Sequence, residues 1–242
     1  MKLYLIGLGP GGGQDLTLRA KQALEESDLL VGYTTYINLI RQDFPEKEML
    51  STPMRREEER CRLALQRAAE GKTVAMVCSG DPGVYGMAGL CYELAGEYPP
   101  LEIEVIPGVT AATGGAAVLG APLTHDFAVI SLSDLLTPME TIEARLEAAA
   151  RADFVLCLYN PSSRKRKDYL RRACDILLRY QSPDTPCGYV RNIGRAGEKG
   201  VILSLAELRE AQVDMFTTVY VGNRQTMVVN GKLVTPRGYL QR

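Results

Sequence analysis

Along the first half of the chain, short apolar runs alternate with longer stretches in which apolar residues recur every three or four positions, and glycine or proline punctuates the changes. Residues 2–7 fill with Leu, Tyr and Ile and predict a strand that runs into Gly7-Leu8-Gly9-Pro10-Gly11-Gly12-Gly13. Asp15 or Thr17 then caps a helix over 18–26. A strand over 29–31, a helical stretch around 35–43 and a short strand over 48–51 follow. The next helix, 54–71, turns Leu63, Leu65 and Ala68 toward a sheet and leaves Arg55, Arg56, Glu57, Glu58, Glu59 and Arg60 mostly in water. The run Val74 to Cys78 is apolar on every position, which fits a parallel strand buried on both faces. After it come a helix over 84–96, a strand over 102–106, the turn Pro107-Gly108-Val109-Thr110 and a helix of small residues from Ala111 that carries Gly114 and Gly115.

Residues 120–126 read as a linker, because Pro122 and polar residues separate two apolar systems. The alternation then restarts: strand 127–131, helix 138–150, buried strand 154–159, helix 166–180, strands 188–190 and 201–204, and a last sheet segment from Thr217 to Val221. Residues 227–234 form a hairpin, since Asn230-Gly231 suits a type I′ turn between alternating apolar residues. The fold class is α/β, with two α/β domains over 1–121 and 127–242, a linker at 122–126 and an antiparallel hairpin near the carboxyl terminus.

The 242 residues accommodate two such domains. With 28 basic and 29 acidic residues there is no overall field for a polyanion, so nucleic acid is disfavoured as the main partner. No stretch reaches the roughly 18 apolar residues of a membrane span, and the amino-terminal apolar run is too short for a signal peptide. A cytoplasmic location is expected. The six cysteines never stand as CxxC and several sit inside strand or helix patterns, which suggests buried free thiols and no protein-held metal. His125 is the one histidine, so no mechanism needs two.

Candidate chemistry starts at the break after Cys78. A loop at the carboxyl end of a parallel strand is where open α/β sheets take ligands. There Gly80 lets a ligand approach bare backbone, Asp81 offers a carboxylate and Pro82 fixes the turn; the same residues also suit a plain turn. Gly7, Gly9 and Gly12 spell GxGxxG, but Pro10 removes a donor from that loop and the second strand ends in Gly32-Tyr33 without the acidic residue that would hold a ribose. Arg55 and Arg56 stand where they could face an acidic ligand or simply line a solvated helix start. Gly114 and Gly115 permit close approach of a ligand or tight helix packing.

Taken together, GLGPGG at 7–12, SGDPGVYG at 79–86, PGVTA at 107–111 and LYNP at 158–161 resemble the tetrapyrrole (corrin/porphyrin) methylases. HDFAVISLSDLLTP at 125–138, with LYNPSSRKR and VDMFTTVYVGN, resembles the branch that methylates C17 of precorrin-3B, or its cobalt form, in cobalamin synthesis. The likeness spans essentially the whole chain. It implies a class III methyltransferase fold with S-adenosylmethionine in a cleft between two domains, S-adenosylhomocysteine as product, a tetrapyrrole substrate and a homodimer. By the same resemblance, Ser79, Gly80, Asp81, Val84, Tyr85, Thr110, Ala111 and Tyr159 hold the cofactor, with positions near Val190 and Thr217 as further walls, and Gly9, Pro10 and Gly11 line the substrate. Gly12, Gly13 and Pro82 depart from what relatives often carry, which bears on specificity more than on the reaction.

Methyl transfer from a sulfonium needs alignment more than acid and base, in keeping with a chain without a triad. Asp81 then orients the cofactor or acts as a base. Ring contraction moves protons, and His125 is the side chain suited to that near neutrality; it can equally be a structural residue beside Asp126. Ser131, Ser133 and Asp134 either line the substrate or cap a helix. Arg164, Lys165, Arg166 and Lys167 either meet substrate carboxylates or are solvated. The rival functions are methylation of another tetrapyrrole, such as uroporphyrinogen III or another precorrin, methylation of ribosomal RNA, and a non-catalytic nucleotide-binding module.

Overall fold

The computed structural model describes residues 1–11, 13–163 and 167–239. The chain divides into two compact units, Met1–Thr110 and Ala111–Arg242.

The first unit contains β1 (Lys2–Gly7), α1 (Leu18–Glu26), β2 (Leu29–Tyr33), α2 (Thr34–Ile40), β3 (Glu48–Thr52), α3 (Glu57–Ala69), β4 (Thr73–Cys78), α4 (Ala88–Ala95) and β5 (Glu102–Ile106). All five strands are parallel, in the order β3-β2-β4-β1-β5, so the strand over 74–78 is central. Period-two alternation decides the layers. Leu3, Leu5, Val74 and Met76 pack with α3 and α4, while Tyr4, Ile6, Ala75 and Val77 pack with α1 and α2. Thr17 caps α1, its hydroxyl accepting from the Ala20 N–H at 3.1 Å.

The second unit contains α5 (Ala111–Leu119), β6 (Gly120–Ala121), β7 (Phe127–Ser131), α6 (Met139–Arg151), β8 (Val155–Tyr159), α7 (Tyr169–Leu177), β9 (Pro186–Arg191), β10 (Lys199–Ser204), α8 (Leu205–Glu210), β11 (Thr217–Val221), β12 (Met227–Val229) and β13 (Lys232–Val234). Its main sheet is mixed, β10-β9-β11-β8-β7, with only β7 and β8 pairing in parallel. Helices α6, α7 and α8 cover one face and α5 the other. The expected hairpin is present, and Asn230 and Gly231 adopt the left-handed φ values of 50° and 72° that a type I′ turn requires.

Three expectations change. The unit boundary falls at Thr110 and not at 121, because α5 packs on β9, β10 and β11. The expected linker is a turn tied down by backbone pairing, since β13 pairs with β6 and the Thr235 N–H donates to the Ala121 carbonyl at 3.1 Å. Arg60 is buried, 5% exposed: it donates to Thr52 Oγ1 at 3.0 Å and the Pro53 carbonyl at 3.2 Å and stacks over Tyr33, whereas Arg56 remains in solvent with Glu59. Arg55, also exposed, takes a left-handed φ of 67°.

Candidate functional site

In the first unit β1 feeds a helix on one face of the sheet and its neighbour β4 feeds a helix on the other, which makes the gap between their carboxyl ends a switch point. Loops 7–11, 79–86 and 107–110 meet there, backbone against backbone. A Cβ on Gly108 would lie 2.2 Å from the Gly80 carbonyl oxygen, and one on Gly7 2.5 Å from the same atom, so neither position admits a side chain. The Gly80 N–H donates to the Gly9 carbonyl at 2.7 Å, Gly9 N–H to Gly80 at 3.2 Å and Leu8 N–H to Cys78 at 2.8 Å. The amides of Leu8 and Gly9 are therefore spent on the sheet edge, and α1 begins only at Leu18. A dinucleotide fingerprint needs its α-helix to start on these glycines, whereas a short 3-10 turn over Gly13–Asp15 intervenes before α1, which argues against that reading.

Asp81 joins the second loop to the third. Its Oδ1 accepts from the Gly83 N–H at 2.7 Å and its Oδ2 from the Gly108 N–H at 3.0 Å. Main-chain bonds to an ionised carboxylate are strong, so this side chain fixes the shape of both loops. Beyond it, Gly86 folds back on the loop, with a Cβ position 2.4 Å from the Pro82 oxygen, and Tyr85 takes a left-handed φ of 51°. That conformation costs a non-glycine residue about 1–2 kcal/mol, and here it turns an aromatic ring 58% exposed outward. The predicted helix over 84–96 consequently begins late, at Ala88. Ser79, Val84 and Thr110 are half-buried, whereas Gly80 and the predicted substrate residues Gly9, Pro10 and Gly11 are buried.

In the second unit the carboxyl ends of β7 and β8 lie together, with Ser131 in register with Tyr159. Ser131 Oγ accepts from Asn160 Nδ2 at 2.9 Å and from the Ser133 N–H at 3.3 Å, and Asp134 accepts from the Tyr169 hydroxyl at 2.7 Å. On the α5 side, Tyr159 Oη accepts from the Ala112 N–H at 2.7 Å and Tyr220 Oη donates to the Ala111 carbonyl at 2.6 Å. Val190 and Thr217 are themselves buried in the second sheet. Gly115 packs against the Tyr220 hydroxyl, which settles its part in helix packing.

His125 stands apart. It precedes the amino end of β7, and the five-residue strand that follows spans about 16 Å before Ser131 is reached. Its Nδ1 accepts from the Asp126 N–H at 2.8 Å, a local turn contact. Arg164, Lys165 and Arg166 lie outside the described residues, and Lys167 is exposed. Among the described residues no group of His, Cys, Asp or Glu is placed to hold a metal ion. All six thiols are free and buried, and burial pushes those of Cys78 and Cys174 up to about 12. The groove between α6 and α7, lined by Glu143, Glu147, Asp175 and Arg172, is an ion-pair surface in which Arg172 bonds Glu143 at 2.6 Å.

Sequence reasoning missed Asn160, Tyr220 and the part played by Gly108. The Asn-Pro pair after β8 signals a turn, and Asn160 takes a left-handed φ of 54° there. Tyr220 carries no local signal, for it sits inside an apolar strand. The first-unit loops suit a cationic, hydroxyl-bearing ligand: they offer carbonyls and one carboxylate, and none of residues 7–13, 79–86 and 107–110 is basic.

The sequence profile of the tetrapyrrole (corrin/porphyrin) methylases matches residues 2–209. A curated relative from Salmonella typhimurium, a probable cobalt-factor III C(17)-methyltransferase, is 46% identical over 98% of this chain and 99% of its own. The crystal structure of the methyltransferase CobJ is similar with a TM-score of 0.89 and 38% identity, covering 97% of this chain and 99% of that one. A uroporphyrin-III C-methyltransferase from Thermus thermophilus, complexed with S-adenosylhomocysteine, is similar with a TM-score of 0.70 and 25% identity over 92% of this chain and 97% of that one. Some curated relatives are longer, and the chain spans 46% of one and 53% of another.

Proposed function

Since the chain belongs to the tetrapyrrole (corrin/porphyrin) methylase family, we propose that it is an S-adenosylmethionine-dependent methyltransferase acting at C17 of cobalt-factor III or of precorrin-3B, with ring contraction, in cobalamin synthesis. The Salmonella relative's name and full-length identity support the reaction, and the likeness to CobJ supports the fold that carries it. When bound, S-adenosylmethionine supplies a methyl group already activated on a sulfonium, so the protein's task is alignment and exclusion of water.

The observation that carries the cofactor reading is the Asp81 clasp. Two loops without a basic side chain are locked together by one carboxylate, leaving carbonyls at a switch point and negative charge where a sulfonium is favourable. Asp81 serves by holding Gly83 and Gly108, and Ser79, Gly80, Val84, Tyr85 and Thr110 are the first unit's contacts for the donor. Ala111 and Tyr159 are the second unit's. Ser131, Ser133, Asp134 and Asn160 offer polar groups to the acceptor, while Gly9, Pro10 and Gly11 act as the buried floor under the loops. His125 has a turn role in this account. A homodimer and a cytoplasmic location belong to the same reading; no helix among the described residues is long and apolar enough to cross a membrane.

Calorimetric titration tests the cofactor reading. S-adenosylhomocysteine binds and NADH does not if it is right; the reverse pattern points to the dinucleotide alternative.

A further inference from the structure

The amino end of α5 is held by two buried or half-buried tyrosines of opposite polarity. Tyr159 Oη accepts from the Ala112 N–H at 2.7 Å, which satisfies one of the amides that a helix start leaves without a backbone partner. Tyr220 Oη donates to the Ala111 carbonyl at 2.6 Å. Tyr220 is fully buried in β11, and its hydroxyl fits only because residue 115 has no side chain: a Cβ there would stand 2.3 Å from the oxygen. Burial drives the Tyr220 pKa up, so the group stays a neutral donor at any working pH.

We propose that Tyr220 is a positioning residue for the methyl donor, its hydroxyl fixing the Ala111 carbonyl and thereby the backbone of Thr110 and Ala111. This rests on the cofactor reading above. The tie has leverage because it comes from the core of the second sheet, where Tyr220 packs among Ala112, Ala116, Cys157 and Val190 and has no room to follow a shifted helix. Within the second unit the first residues of α5 are thus held from both sides, the Ala112 amide by Tyr159 and the Ala111 carbonyl by Tyr220.

The test compares three variants with the wild type by S-adenosylhomocysteine titration, well below each melting temperature. Tyr220→Phe removes only the hydroxyl and should weaken binding about tenfold. Gly115→Ala fills the hydroxyl's seat while keeping the tyrosine, and should weaken binding similarly. Thr235→Val removes a hydroxyl equally buried, paired with Thr226 away from α5, and should lower the melting temperature without changing affinity. In turnover, Tyr220→Phe should raise KM for S-adenosylmethionine and leave the KM for the tetrapyrrole unchanged. If the wild type binds and Tyr220→Phe binds as tightly, or if Thr235→Val loses as much, the inference is overturned while the cofactor reading stands. Failure of the wild type itself to bind removes the reading on which both depend.

Discussion

The two sheets differ in what they present at their carboxyl ends. In the first, five parallel strands end on the same side, and the exits of β1, β4 and β5 are glycine loops packed so closely that the edge is almost pure backbone. In the second, mixed pairing places the ends of β7 and β8 together, and the polar surface there is made of side chains: Ser131, Ser133, Asp134, Tyr159 and Asn160. Bare backbone can take an adenosine-like ligand at close range but discriminates little by charge. Side-chain hydroxyls and amides can be varied one at a time, which suits recognition of an acceptor. On the function proposed above, the contrast divides the labour: the first unit's loops serve the donor, and Ser131, Ser133, Asp134 and Asn160 of the second serve the acceptor.

The strongest way to break that contrast is a side chain among the backbone contacts. Gly108→Ala places a methyl 2.2 Å from the Gly80 carbonyl, and should cost about 3 kcal/mol in denaturant unfolding and abolish S-adenosylhomocysteine binding. Asp81→Ala comes next, because it strands the amides of Gly83 and Gly108; about 2 kcal/mol of stability and roughly a thirtyfold loss of affinity are expected, with Asp81→Asn recovering part of each. Ser131→Ala sharpens the comparison from the other side, since it releases Asn160 and the Ser133 amide. It should cost about 1 kcal/mol, raise KM for the tetrapyrrole and leave donor affinity unchanged. His125→Ala should change neither donor affinity nor turnover, because its contact is local to its own turn; a lost turnover with intact binding would restore the histidine to the chemistry. The thiols offer a check on the cores of both units. A disulfide reagent at pH 8 should titrate none of the six in the native protein and all six in denaturant, because every one of them is enclosed in a core and out of the reagent's reach.

Much of the fold was legible because apolar periodicity and glycine punctuation are local. Residues 2–7, 18–26, 102–106, 127–131 and 217–221 form the elements that their patterns predict. Helix α8 went unread although Ser204 and Glu207 form a capping box directly before it. The late start of α4 was not legible, because Gly86 folding onto Pro82 and the left-handed Tyr85 are consequences of packing. The same holds for Arg60, whose position in a charge run suggests water while Thr52, Pro53 and Tyr33 enclose it. At the site, the motifs marked the loops but not their mechanics. The Asp81 to Gly108 bond joins residues 27 apart in sequence and Tyr220 to Ala111 joins residues 109 apart, and no local pattern records either.

The most direct measurement supplies the purified protein with S-adenosylmethionine carrying a 13C-labelled methyl group and with cobalt-factor III, and follows the product by mass spectrometry and NMR. The account predicts one labelled methyl per macrocycle, located at C17, and equimolar S-adenosylhomocysteine. Label on another ring carbon, or consumption of uroporphyrinogen III in place of cobalt-factor III and precorrin-3B, would contradict it.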